Sequence, residues 1–159
     1  MVRQAIFFDR DRCIGCYACV IACKLEHNAS PYPSCPPEAE PKGINLIDIH
    51  HYGPIISEDR VVQFFQPTAC RHCTDAPCIA ACQSAAIYRD LGTGAVLVDQ
   101  GRCIGCKSCL PACPFGVPQF DENGEMVKCD LCVQRLRQGK QTACAGACVA
   151  RAILVCGAY

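Results

Sequence analysis

Eighteen cysteines punctuate this chain of 159 residues, and sixteen of them fall into four groups of four. The groups are Cys13, Cys16, Cys19 and Cys23; Cys70, Cys73, Cys78 and Cys82; Cys103, Cys106, Cys109 and Cys113; and Cys129, Cys132, Cys144 and Cys148. Thiolates are soft metal ligands, and a pair at C-x2-C spacing can bind zinc or iron. A triplet such as Cys13, Cys16 and Cys19 puts three thiolates on one tight loop, which suits one face of an iron–sulfur cubane better than a zinc tetrahedron. The third group, closed by Pro114, has the run C-x2-C-x2-C-x3-C-P, whose fourth cysteine ligates the neighbouring cluster. Cys109 and Cys113 would stand only ~6 Å apart along a helix axis at ~1.5 Å per residue. Two clusters tied to one such turn are close enough to pass electrons.

Applied to residues 70–118, this cross-ligation gives one cluster to Cys70, Cys73, Cys78 and Cys113 and the next to Cys103, Cys106, Cys109 and Cys82. An internal repeat extends the scheme. FFDRDRCIGCYACVIAC, from Phe7, lies over LVDQGRCIGCKSCLPAC, from Leu97, at a constant offset of 90, and the pattern A-C-x3-A-I at 81–87 recurs at 147–153, an offset of 66. The other two clusters are therefore expected on Cys13, Cys16, Cys19 and Cys148 and on Cys129, Cys132, Cys144 and Cys23. Gly15 and Gly105 fall between the first two cysteines of matching loops, where a side chain would obstruct a backbone wrapping a cluster. Cys35 and Cys156 are left over as unligated thiols.

The elements that must hold these loops are short. Residues 4–8 read as a strand and 17–27 as a helix with Ala18, Ile21, Ala22 and Leu25 on one face. Residues 29–43 hold five prolines and read as a surface loop. Residues 44–65 suggest a hairpin or two strands. A hairpin turning at LGTG joins Cys82 to Cys103, so the G-x-G of Gly92 and Gly94 is a turn and not a phosphate cradle. Residues 115–132 suggest another hairpin, turning at 122–124, and 131–138 a helix that Gly139 ends. Ile14, Ile79, Ile104 and Leu110 are expected to exclude water around the clusters. His27, His50, His51 and His72 read as surface or loop residues, since cysteines already satisfy every cluster. Lys128, Arg135 and Arg137 form either a docking patch or a solvated helix face.

Composition narrows the functional classes. Hydrophobic residues make up 51%, but without the cysteines the share is roughly 40%, thin for an ordinary core. The formal net charge is +0, which argues against nucleic acid. No apolar run reaches 18 residues, so no membrane span is expected, and residues 1–13 lack a secretory core. The chain is expected in the cytoplasm, or exported with a partner. A disulfide scaffold fits neither that compartment nor the spacing. No nucleophile–base pair or cofactor pocket indicates substrate chemistry, so the chain is expected not to be an enzyme by itself.

CRHCTDAPCIAAC, GAVLVDQGRCIGCKSCLPACPFGVPQF and KCDLCVQRLRQG together resemble the four-cluster iron–sulfur subunits of molybdenum and tungsten pterin oxidoreductases, the dimethyl sulfoxide reductase and formate dehydrogenase type. The resemblance runs from Ile6 to Val155 apart from the proline-rich loop. Lys24, Gln83 and Val149 stand where that family often has proline. Because Cys106 is present, four [4Fe–4S] clusters are implied rather than a three-iron variant. The short chain is also similar to compact polyferredoxins that accompany tungsten or molybdenum enzymes such as aldehyde oxidoreductases. The resemblance implies an α+β fold of two bacterial-ferredoxin-like dicluster modules, residues 1–28 with 119–159 and residues 67–118, with 29–66 as a loop and hairpin insertion. It implies a relay between a catalytic pterin subunit and a flavin subunit, a quinone-linked subunit or a soluble carrier, with self-association into a longer chain as a further expectation. A free polyferredoxin shuttling between enzymes and a zinc-stabilised interaction or maturation protein remain as alternatives.

Overall fold

A computed structural model describes residues 3–27 and 44–158 of the protein; the proline-rich loop and Cys35 lie outside the described residues. In chain order the elements are β1 (Arg3–Phe8), α1 (Ala18–Glu26), β2 (Ile47–Ser57), β3 (Arg60–Ala69), α2 (Pro77–Ala80), β4 (Ile87–Arg89), β5 (Val96–Val98), α3 (Cys109–Ala112), β6 (Gln119–Phe120), β7 (Met126–Val127), α4 (Val133–Arg137), α5 (Ala143–Gly146) and β8 (Ile153–Ala158). Four two-stranded antiparallel sheets result: β1 with β8, β2 with β3, β4 with β5, and β6 with β7. Small sheets and short helices of this kind make an α+β arrangement.

Two of the sheets are copies. In β4–β5 the pairs are Ile87 with Val98, Tyr88 with Leu97 and Arg89 with Val96; in β1–β8 they are Ile153 with Phe8, Leu154 with Phe7 and Val155 with Ile6. The sequence offsets of 90 and 66 convert one register into the other. The flanking bonds repeat as well: the Asp9 N–H donates to the Ala152 carbonyl and the Asp99 N–H to the Ala86 carbonyl, both at 2.8 Å. The first and last described strands thus meet in β1–β8, and the copy joins its two strands through the β4–β5 turn. In that turn the Asp90 carboxylate accepts from the Thr93 N–H at 2.9 Å and hydroxyl at 2.6 Å, and Gly94 supplies a φ of 78°. LGTG is a turn, as its composition indicates.

Cysteines share the interior with a small set of apolar side chains. One buried cluster combines Ile6, Val20, Ile47, Ile49, Leu131 and Ile153 with Cys19, Cys23, Cys70, Cys129 and Cys144; a smaller one gathers Ile87, Val96 and Met126 around Cys109. A buried aliphatic side chain contributes ~1.5–3 kcal/mol, so a core with so few of them leaves much of the stability to whatever the thiols bind.

Several local expectations are revised. On α1 the buried face carries Cys19, Val20 and Cys23, while Ile21 and Leu25 are exposed; turning the cysteines inward outranks burying the apolar stripe. The helix expected over 131–138 begins only at Val133, because Leu131 and Cys132 take left-handed φ of 62° and 45°. Lys128, Arg135 and Arg137 do not form a patch. Lys128 is buried, Arg135 pairs with Glu26 at 2.9 Å and Arg137 with Asp90 at 2.8 Å. The hairpin expected over 44–65 reaches Ala69 and turns at Glu58 and Asp59, both with positive φ. Gly53, which looks like a turn residue, sits instead inside β2 at a shift of register between Tyr52 and Ile55.

Candidate metal centre

Each cysteine loop is shaped from its neighbouring residues. The Asp9 carboxylate accepts from the N–H groups of Asp11 at 3.1 Å and Arg12 at 3.3 Å, closing a turn that delivers Cys13. Gly15 then takes φ +67° and Tyr17 φ 58°, which bend the backbone between Cys13, Cys16 and Cys19. The copy does the same with Gly105 at +65° and Lys107 at 61°. A Cβ on Gly15 would lie 2.5 Å from the Phe65 ring, and one on Gly105 would lie 2.7 Å from the Gly124 carbonyl oxygen. Both loops are thus pressed against a hairpin, β2–β3 in one case and the β6–β7 turn in the other.

Two cavities follow from this geometry. One is lined by Cys13, Cys16, Cys19 and Cys148. The other is lined by Cys103, Cys106, Cys109 and Cys82. Their remaining walls correspond: Ala152 and Ile153 in the first stand where Ala86 and Ile87 stand in the second, and Ile49 and Pro67 of β2–β3 stand where Phe120 and Met126 of β6–β7 do. Ile14 and Ile104 also line them, but at 61% and 68% exposure they stand at the mouths and do not seal the sites, and Leu110 is exposed too. Cys16 and Cys106 are likewise exposed.

Of the other eight cysteines of the four groups, Cys23, Cys70, Cys129, Cys132 and Cys144 are buried and Cys73, Cys78 and Cys113 partly buried. Cys78 is raised by burial, with Cys70, Cys113 and Cys73 adding to the shift, and Lys128 opposing it. Burial pushes Cys132 up to about 12, with Cys144 and Cys23 among the charges that help. These influences also order the groups. Cys19, pushed up to about 12 by burial, feels Cys144; Cys129 feels Cys70; Cys109 feels Cys78. These influences link the Cys13 group to the Cys129 group, the Cys129 group to the Cys70 group, and the Cys70 group to the Cys103 group. Of the two cysteines outside the four groups, Cys156 is exposed on β8 and Cys35 is outside the described residues.

The donor set suits iron–sulfur clusters. Backbone N–H groups already point at the sulfurs: Ala152 donates to Cys148 at 3.2 Å, Met126 to Cys103 and Leu131 to Cys129 at 3.4 Å, and Ala143 to Cys132 at 3.5 Å. Such bonds stabilise negative charge on sulfur. His72 offers a further sign. It is buried, not a surface residue, and its Nδ1 accepts from the Val96 N–H at 3.0 Å. The neutral ring then carries its proton on Nε2, which is buried with no partner. Burial holds the His72 pKa down at about 3, so the ring stays neutral. A buried donor inside the Cys70–Cys73 loop lacks an acceptor that a cluster sulfur would supply.

His27 also departs from its reading as a plain surface residue. Its Nε2 lies 2.8 Å from Asp130 and its Nδ1 2.9 Å from the Cys23 carbonyl. The Asp130 hydrogen bond is the main cause of a pKa raised to about 11. His50 and His51 are exposed on β2, with His51 stacked on Phe65. The sequence signal that could have found His72 is its repeat partner: Leu131 holds the same place between Cys129 and Cys132, also with positive φ. A polar residue replacing a fully buried leucine marks a special role.

A 4Fe-4S dicluster domain matches residues 61–157, and a 4Fe-4S binding domain matches residues 4–25. The chain belongs to the 4Fe-4S dicluster domain family. It is 36% identical over 149 residues to a thiosulfate reductase electron transfer subunit of Salmonella typhi, covering 92% of this chain and 71% of that one. It is 36% identical to a polypeptide of the anaerobic dimethyl sulfoxide reductase of Escherichia coli K12 (95% and 72% covered) and 36% identical to a sulfite dehydrogenase subunit of Allochromatium vinosum (97% and 68% covered). Membership makes this an iron–sulfur protein carrying more than one [4Fe–4S] cluster, and sets zinc and disulfide readings aside. No described helix is long and apolar enough to cross a membrane.

Proposed function

We propose that this protein is the electron-transfer subunit of a molybdenum or tungsten pterin oxidoreductase, holding four [4Fe–4S] clusters in a line. The first cluster takes Cys13, Cys16, Cys19 and Cys148, the second Cys23, Cys129, Cys132 and Cys144, the third Cys70, Cys73, Cys78 and Cys113, and the fourth Cys103, Cys106, Cys109 and Cys82. The observation that carries this reading is the pair of matching four-cysteine cavities, each built from residues distant in sequence; of the thiols outside them, Cys23, Cys70, Cys129, Cys132 and Cys144 are buried.

The clusters supply the one-electron redox chemistry. The chain's own residues hold them in order, keep the inner pair dry, donate N–H bonds to sulfur, and bring the outer pair to the surface at Cys16 and Cys106. The outer positions are where electrons enter and leave, since a buried terminal centre could not exchange with another protein. One partner is the catalytic pterin subunit; the other is a flavin subunit, a quinone-linked subunit or a soluble carrier. A second copy joined end to end would lengthen the line.

The relay divides into two dicluster modules. The shared register of β1–β8 and β4–β5 supports this division. The β2–β3 hairpin corresponds to β6–β7, so its place is inside the first module, with the pairing of β1 and β8 closing that module as β4 and β5 close the second. The two hairpins differ in length, and the longer one presents Tyr52, Ile55, Ile56, Val61 and Val62 to solvent. The Cys13 end is thus the better equipped for a lasting partner. Copurification tests the assignment. A stable complex with a large pterin protein is expected, whereas a monomer that reduces several unrelated enzymes would make this a free shuttle.

A further inference from the structure

Lys128 is a buried lysine, 8% exposed, and precedes the ligand-bearing Cys129. Its ammonium donates to the Cys129 carbonyl at 2.9 Å and to the carbonyl of Val96. The N–H of the same Val96 is bound by His72, which lies between Cys70 and Cys73. One strand residue therefore ties the Cys129 segment to the Cys70 loop, and the ammonium sits at that joint. No carboxylate is within salt-bridge distance of it among the described ion pairs, so its charge is not cancelled locally.

We propose that Lys128 is a fixed positive charge shared by the two inner clusters, positioned to make both easier to reduce than the same protein sleeve would alone. The inference rests on the four-cluster reading above. Reduction adds one electron, hence one negative charge, to a cluster in a region of low dielectric. A buried cation close by stabilises that charge far more than a solvated one would. The repeat offers a contrast. Lys107, which lines the Cys103 cavity, reaches over the Phe120 ring at the surface, and Tyr17 holds its place in the Cys13 loop. The two ends open to the surface at Cys16 and Cys106, whereas none of the inner eight thiols is fully exposed, so without Lys128 the inner clusters would be the hardest to reduce and the line would carry a step at its centre.

The test is a redox titration of the purified protein followed by electron paramagnetic resonance, with iron counted on every sample. Lys128→Met keeps the stem and removes the charge; Lys128→Gln removes the charge and keeps a donor; Lys128→Arg keeps the charge. Two of the four midpoint potentials are expected to fall in the Met and Gln variants by at least tenfold in the reduction equilibrium, about 59 mV for one electron. The Arg variant should stay near wild type, and iron should be unchanged in all three. Full iron with all four potentials unmoved, or with all four moved equally, would overturn the proposal. So would iron loss in both neutral variants with normal potentials in the clusters that remain, which is the mark of a purely structural lysine. A wild-type protein lacking four clusters would instead overturn the relay reading itself, and would show in the iron count before any variant was made.

Discussion

Gly105→Ala tests how tightly the cysteine loops are held. Gly105 has φ +65°, a conformation that costs an L side chain roughly 1–2 kcal/mol. The added Cβ would also lie 2.7 Å from the Gly124 carbonyl oxygen, against 3.4 Å or more for ordinary contact. The obstacle is backbone in the β6–β7 turn, so it cannot rotate away, and overpacking of this kind costs typically about 1–3 kcal/mol. The expected total is about 3 kcal/mol. Gly116→Ala is the control: its φ is +61°, but nothing lies within 4 Å of the new Cβ, so it bears the conformational cost alone. A domain of this size loses about 2–4 °C of melting temperature per kcal/mol. Gly105→Ala should therefore bleach at least about 2 °C below Gly116→Ala when the visible cluster absorbance is followed on heating. Equal bleaching temperatures would mean that the loop does not press on the turn.

Other expectations address the site and its surroundings. Cys113→Ala should remove the cluster held otherwise by Cys70, Cys73 and Cys78, and Cys82→Ala the one on Cys103, Cys106 and Cys109; spectra showing the opposite losses would refute cross-ligation. Ile56, 82% exposed at the hairpin tip, should tolerate Asp with a stability change within about 0.5 kcal/mol, yet Ile56→Asp should weaken association with the pterin subunit at least about tenfold in a pull-down titration, the equivalent of ~1.4 kcal/mol. Arg135→Ala should cost about 0.5–1 kcal/mol through its partly buried pair with Glu26, and a double-mutant cycle with Glu26→Ala should recover that coupling.

Much of the site is legible in the sequence because ligand spacing is a local property. The offsets of 90 and 66 between repeats reappear as matching strand registers, and the turns at LGTG and near Asn123 fall where their composition places them. What the sequence hides is set by long-range packing. The helical period of α1 suggests an Ile21 and Leu25 face, but nothing local says that the cysteines must win the interior. Lys128 and His72 read as ordinary polar residues because their burial comes from strands brought in from elsewhere, β5 above all. The hairpin turn at Glu58 and Asp59 carries no glycine, while Gly53 bends a strand without ending it, so the usual turn signal points to the wrong place.

The most direct measurement is iron and acid-labile sulfide per chain in anaerobically purified protein, with paramagnetic resonance after reduction. Four cubanes require about sixteen iron and about sixteen sulfide per polypeptide, with signals from magnetically interacting reduced clusters. About eight of each, or full metal loading with signals of isolated centres only, would contradict a continuous line of four.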